Sequence, residues 1–155
     1  MNKLKKIMLV LVISILVFIG LLLWFLAYSS TTDVSNTANF KAYINKPLIV
    51  KQASVLKRGD LNSNRFKEYF IDVSTLQEDK TVVKKYNVGD TIFFTSAKKY
   101  FSNHVGDSYY LIGKEKLKSG KIIEFEYSAS FIYSPAIWET SKAFLDRRKL
   151  KVDYP

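Results

Sequence analysis

The sequence predicts an N-terminal transmembrane helix, then a mainly-β domain, then a C-terminal amphipathic helix. The β domain is expected to be a small antiparallel barrel or sandwich of OB-like or SH3-like type. Three observations carry this. An uncharged apolar run extends from Ile7 to Tyr28. From Pro47 onward, short stretches rich in Ile, Val, Phe and Tyr alternate with turn signals. After Ser134 the apolar spacing changes from a strand period to a helical one.

Residues 1–6 form a basic stub containing Lys3, Lys5 and Lys6. Residues 7–28, "IMLVLVISILVFIGLLLWFLAY", follow. About 22 residues at 1.5 Å each span roughly 33 Å, against a hydrocarbon core of about 30 Å. Trp24 and Tyr28 lie near one end, where amphipathic rings favour the interface. With lysines at the other end, the positive-inside rule puts the N-terminus in the cytoplasm. The expected location is the inner (plasma) membrane of a bacterial-type cell, single-pass, with the C-terminal domain periplasmic or extracellular. A cleaved signal peptide usually has a shorter apolar region, about 7–15 residues, with a small-x-small site. Only Ala27 and Ser29 offer such a site, so an uncleaved signal-anchor is expected.

Residues 29–46 begin "SSTTDVSNTANFKAY", polar and without periodicity, which reads as a linker. The β domain is expected over 47–155. Its strands are expected at Leu48–Leu56, Phe66–Val73, Thr81–Val83, Thr91–Ala97, Tyr109–Ile112 and Lys121–Ser128. "KRGDLNSNR" and "NVGD" supply turns between them. Ile123, Phe125 and Tyr127 alternate with Glu124 and Glu126, which gives one buried and one wet face. Two hairpin registers are open here. A Ser119–Gly120–Lys121 loop sets Lys116 against Glu124. A Lys118–Ser119–Gly120 loop puts glycine at the left-handed position and sets Lys114 against Glu124.

Ser134 is the expected cap of a helix over 135–149, with Pro135 in its first turn. Ile137, Trp138, Ser141, Phe144 and Leu145 share one side, and Arg147, Arg148 and Lys149 sit at the cation-favouring end. The tail "LKVDYP" alternates as an edge strand would.

Composition narrows the chemistry. The chain of 155 residues suits one domain. With no cysteine, disulfides, thiolate catalysis and Cys-based zinc sites are excluded. The net charge is +10, and lysine supplies almost all of it. Base and phosphate readers lean on arginine, so nucleic acid is a disfavoured partner. There is no Walker loop, dinucleotide fingerprint, EF-hand loop or Gly-x-Ser-x-Gly elbow. No cofactor and no metal is expected. "RGD" at Arg58–Asp60 most simply marks a turn.

The single histidine, His104, lies in "KKYFSNHVGDSYY" with Ser102, Asp107 and Ser108 nearby. Any Ser–His–Asp triad must use it. Glu124 and Glu126 have side-chain bases about 7 Å apart on one strand face, an awkward arrangement for the opposed carboxyls of a glycosidase. No catalytic residue is therefore assigned. Candidate partner contacts are Lys98, Lys99, Tyr100, Phe101 and His104. The leading expectation is a membrane-anchored, non-enzymatic binding module, an accessory, inhibitor or immunity-like protein that holds an acidic protein partner. The alternatives are a small envelope hydrolase using His104, and an envelope glycan or nucleic-acid binder of OB type.

Overall fold

The computed structural model describes residues 3–59, 67–73, 80–129 and 134–149. The apolar run forms one helix, α1 (Lys3–Ala27), with every described side chain exposed. Leu, Ile, Val and Phe face outward all around it. It is long and apolar enough to cross a membrane.

The stretch 29–46, expected as a linker, instead belongs to the folded domain. Strand β1 (Ser29–Asp33) starts two residues after α1 ends. A short helix, α2 (Ala38–Lys41), follows and buries Phe40 in the core. Strands β2 (Leu48–Ile49), β3 (Ser54–Arg58), β4 (Tyr69–Asp72), β5 (Val82–Tyr86) and β6 (Thr91–Ile92) come next. Strands β7 (Phe94–Ser102), β8 (Gly106–Lys116) and β9 (Ile122–Ser128) precede the last helix, α3 (Ser141–Lys149).

Polarity hid β1 because it is an edge strand. Its residues are mostly exposed, yet each pairs with β7, from Ser29↔Ser102 to Asp33↔Lys98. Lys98 Nζ donates to Asp33 at 2.6 Å and holds that carboxyl well below the usual range. The chain stays on β7 beyond the strand. Val34 N donates to Ala97 O at 2.9 Å, and Ala97 N donates to Ser35 Oγ at 2.8 Å. Cross-strand pairing here overrides a loop-like composition.

The main sheet has seven strands in the order β1-β7-β8-β9-β4-β3-β5, and β2 and β6 form a second, two-stranded sheet. Neighbours run antiparallel except β4 and β9, which pair parallel through Tyr69↔Phe125 and Phe70↔Glu126. The architecture is thus mainly β but mixed, and neither sheet closes among the described residues. Side chains also link β5, at one end of the order, to the interior strand β8. Glu115 on β8 receives Lys84 Nζ at 2.7 Å and the Tyr86 hydroxyl at 2.6 Å, both from β5.

The β8–β9 hairpin adopts the register that its turn chemistry favours. Gly120 takes φ 84°, and Lys114 pairs with Glu124 while Lys116 faces Ile122. Ile123, Phe125 and Tyr127 are buried as the alternation requires. Glu126 departs from it. It is 3% exposed and accepts the Lys67 N–H at 2.7 Å.

The core is aromatic at its centre. Phe94 packs against Phe125, Tyr127 and Trp138 with ring centroids 5.5–6.0 Å apart, and Tyr43 completes the cluster against Trp138.

The C-terminal helix is shorter than its spacing predicts. It begins at Ser141, not Pro135, and Thr140 caps it through an Oγ1 contact from Ala143 N at 3.2 Å. Residues 135–140 are held in a different conformation by backbone partners. Ile137 O receives both Lys51 N at 2.7 Å and Gln52 N at 3.0 Å, and Ile137 N donates to the Tyr127 hydroxyl. Ala136 and Ile137 are fully buried, whereas Leu145 is 53% exposed. The tail from Leu150 lies outside the described residues, as do Asp60 of the RGD tripeptide and Phe66.

Two buried phenols give the fold an alkaline limit. Burial pushes Tyr127 up to about 12, aided by nearby Glu139 and opposed by the Ile137 N–H bond. Tyr86 is also raised, by burial first and then by its hydrogen bond to Glu115. In the unfolded chain both ionise near pH 10, so above that pH the folded state binds more protons than the unfolded one. The contribution of these two phenols to stability is therefore expected to be flat below about pH 10 and to fall above it. The slope is up to about 1.4 kcal/mol per pH unit for each tyrosine. Denaturant titrations at stepped alkaline pH check this, and Tyr127→Phe should flatten the slope.

Candidate binding surface

The five contact residues read from the sequence lie at one end of the sheet. Lys98, Lys99, Tyr100 and Phe101 are on β7, and His104 is in the turn Asn103–Val105 that joins β7 to β8. Successive β7 side chains point to opposite faces, so Lys98 and Tyr100 are separated from Lys99 and Phe101. Both lysines have acidic partners, Lys98 with Asp33 and Lys99 with Asp107 at 3.2 Å. Phe101 meets Tyr28 edge-on, at 6.3 Å between centroids.

His104 is exposed at the tip. Its backbone N–H donates to Ser102 Oγ at 3.2 Å, and Val105 N–H donates to Ser102 O, so Ser102 serves the turn. Gly106 follows at φ 83°, the left-handed position that ends such a turn. Of the possible triad, Asp107 is engaged by Lys99 and Ser102 by the turn backbone. The two strand-neighbour glutamates converge on Lys67. Its Nζ lies 2.5 Å from Glu124, and its N–H binds Glu126. The Lys67 contact, with Lys114 adding to it, lowers the Glu124 carboxyl.

A second basic region lies at the other end of β8. A cleft of about 500 Å³ is lined by Val82, Val83, Lys84 and Lys85 of β5 and by Lys116, Leu117 and Lys118. Lys84 reaches Glu115 and also lies over the Tyr86 ring, 4.5 Å from its centroid. Lys116 and Lys118 are exposed and have no ion-pair partner among the described residues. The hairpin register explains this. Because glycine takes the left-handed turn position, Lys116 faces Ile122 and not Glu124. A backbone preference at Gly120 thereby leaves an ammonium group for something else.

The cleft adjoins the end of the sheet order, where β5 has a neighbour on one side only among the described residues. It combines several ammonium groups with the apolar walls of Val82, Val83 and Leu117. Such a surface attracts carboxylates or phosphates without the planar selectivity of arginine. The eleven residues of β8 separate it from the His104 turn by roughly 33 Å along the strand. The Lys84–Lys85 pair resembles Lys98–Lys99 in composition, but the fold places the two pairs on β5 and β7, far apart in the strand order. The available signal was the alternation of Lys114, Lys116 and Lys118 ahead of the turn.

Among the described residues no cluster of three or more His, Asp or Glu side chains has metal-binding geometry. Comparison with protein-family models, with curated proteins and with solved structures finds no match.

Proposed function

We propose that this chain is a single-pass membrane protein, N-terminus in the cytoplasm, that presents a non-enzymatic binding module outside the membrane. Its partner is a protein with an acidic, extended segment. The lysine-lined cleft beside β5 is the observation that carries this reading. Edge lysines often serve only to block unwanted strand pairing. Here they are accompanied by a concavity with apolar walls and by Lys116 and Lys118, which have no carboxylate partner among the described residues. An acidic segment lying along β5 would gain main-chain hydrogen bonds from an edge that has no strand partner among the described residues, and charge pairing from the lysines. The cleft's position at the end of β8 remote from α1 keeps it accessible beside a bilayer.

A photo-crosslinking side chain at Lys118 tests this in intact cells. It should capture a discrete protein partner that the same group at exposed Lys142 does not. Lys116→Glu in the Lys118 crosslinking chain should abolish capture, and raised salt should weaken it. Capture unaffected by charge reversal would reject the acidic-partner reading. Capture of glycan in place of protein would favour an envelope polysaccharide.

A further inference from the structure

The β7–β8 turn is set against the end of α1, and its position follows from the register of β1. Only Tyr28 separates α1 from β1. Pairing of Ser29 with Ser102 then places the turn level with the last helical turn of α1. Two hydrogen bonds fix it there. Asn103 Nδ2 donates to Phe25 O at 2.8 Å, and Asn103 N donates to Tyr28 O at 3.3 Å. Phe25 O also accepts the local Tyr28 N–H at 3.2 Å, so Asn103 adds a second, long-range bond to the last turn of α1.

Phe25 lies inside the apolar run. The 25 residues of α1 span roughly 37 Å. A bilayer has a hydrocarbon core of about 30 Å and measures about 40–45 Å with its headgroup layers. A helix of this length ends within the headgroup layer, and Phe25 is only about 4.5 Å short of Tyr28 along the axis. A turn bonded to Phe25 O therefore shares that depth. The side chains there suit it. Val105 is 61% exposed at the tip, an apolar group left uncovered among the described residues. Trp24 and Tyr28, 69% and 48% exposed, are the rings that favour this layer. The nearby charges are paired within the protein, Lys98 with Asp33 and Lys99 with Asp107, which lowers the cost of approaching lipid.

We propose that the β7–β8 turn, with Val105 at its tip and Asn103 as its clamp, is a second membrane contact seated in the headgroup layer of the bilayer that α1 spans. It rests on α1 being a retained membrane helix. It goes beyond anchoring, because two contacts fix the tilt of the domain where one helix would allow it to swivel. Apolar contact at the interface, not attraction to anionic lipid, is the main force.

The chain has no cysteine, so single labelling sites are clean. Full-length Val105→Cys, Ser119→Cys and Leu16→Cys variants, each with a polarity-sensitive fluorophore, are reconstituted in phosphatidylcholine nanodiscs. Nitroxide lipids quench either at the headgroup or deep in the acyl chains. The label at position 105 should be blue-shifted and quenched by the headgroup nitroxide, and the label at 119 neither. The label at 16 should respond to the deep nitroxide. Adding Asn103→Ala should weaken quenching at 105 and leave 16 unchanged. A water-like, unquenched label at 105 beside a deeply quenched 16 overturns the turn contact alone. An unquenched 16 removes the spanning helix, and the turn proposal fails with it.

Discussion

Gly113→Ala is expected to lower the thermal midpoint of the β domain by roughly 10 °C, corresponding to about 3 kcal/mol. Gly113 lies mid-sheet, between Phe94 on β7 and Phe125 on β9. A β-carbon there would stand 2.7 Å from the Phe93 carbonyl oxygen and collide with the Phe125 ring. Phe125 is fully buried against Phe94, so the ring has no space to retreat into. The opposing oxygen is backbone, held beside the irregularity between Phe94 and Ser96. The requirement is thus for close approach, not for an unusual backbone angle. Trp138, in contact with Phe94, reports the loss as a fluorescence change on heating the detergent-solubilised chain. Gly20→Ala is the control, since a β-carbon there meets nothing within 4 Å. An unchanged midpoint for Gly113→Ala would mean that the β7–β8–β9 packing is looser than described.

The second large effect belongs to the clamp on α3. Arg147 Nε and Nη2 each donate at 2.8 Å to the two oxygens of Glu139, and the side chains are only 14% and 11% exposed. Glu139 also accepts the Ala136 N–H at 3.1 Å, so one carboxylate ties α3 to the buried segment before it. Arg147→Ala leaves that carboxylate nearly buried without its cation. The expected cost is about 2–3 kcal/mol, below the full value for a wholly buried pair. Glu139→Gln should cost less, because an amide still accepts from Ala136. The pair should couple strongly in a double-mutant cycle, with the double variant more stable than the sum of the single changes implies. Faster proteolysis after Lys142 in Arg147→Ala would show that α3 has loosened. Additive single changes would argue against direct pairing.

The parts of this molecule with one dominant local cause were legible from the chain. An uncharged apolar run gave a helix, and period-two alternation placed Ile123, Phe125 and Tyr127 inward. Gly120 settled its own turn against the competing charge pairing of Lys116 with Glu124. Where tertiary partners decided, composition misled. The Ser- and Thr-rich segment after α1 is an edge strand because β7 offers it a ladder. Residues 135–140 leave the helix because Lys51, Gln52 and Tyr127 hold the backbone of Ile137. The cleft was hidden for the same reason. Its walls come from β5 and from the β8–β9 turn, and no local pattern says that these meet. His104 drew attention as the only residue of its kind, whereas its neighbour Asn103 makes the long-range contacts.

Strand β1 also has a history within synthesis. It emerges first among the strands, yet its ion-pair partner Lys98 lies 65 residues beyond Asp33. Until β7 follows, Ser29–Asp33 has no ladder to join, while β7, β8 and β9 can zip locally as soon as they appear. The strand nearest α1 is therefore completed late. Throughout that interval its serines and threonines keep the waiting edge soluble, where a run of valine or isoleucine would invite misassociation. The polarity that disguised β1 as a tether is what lets a nascent chain wait safely for its partner.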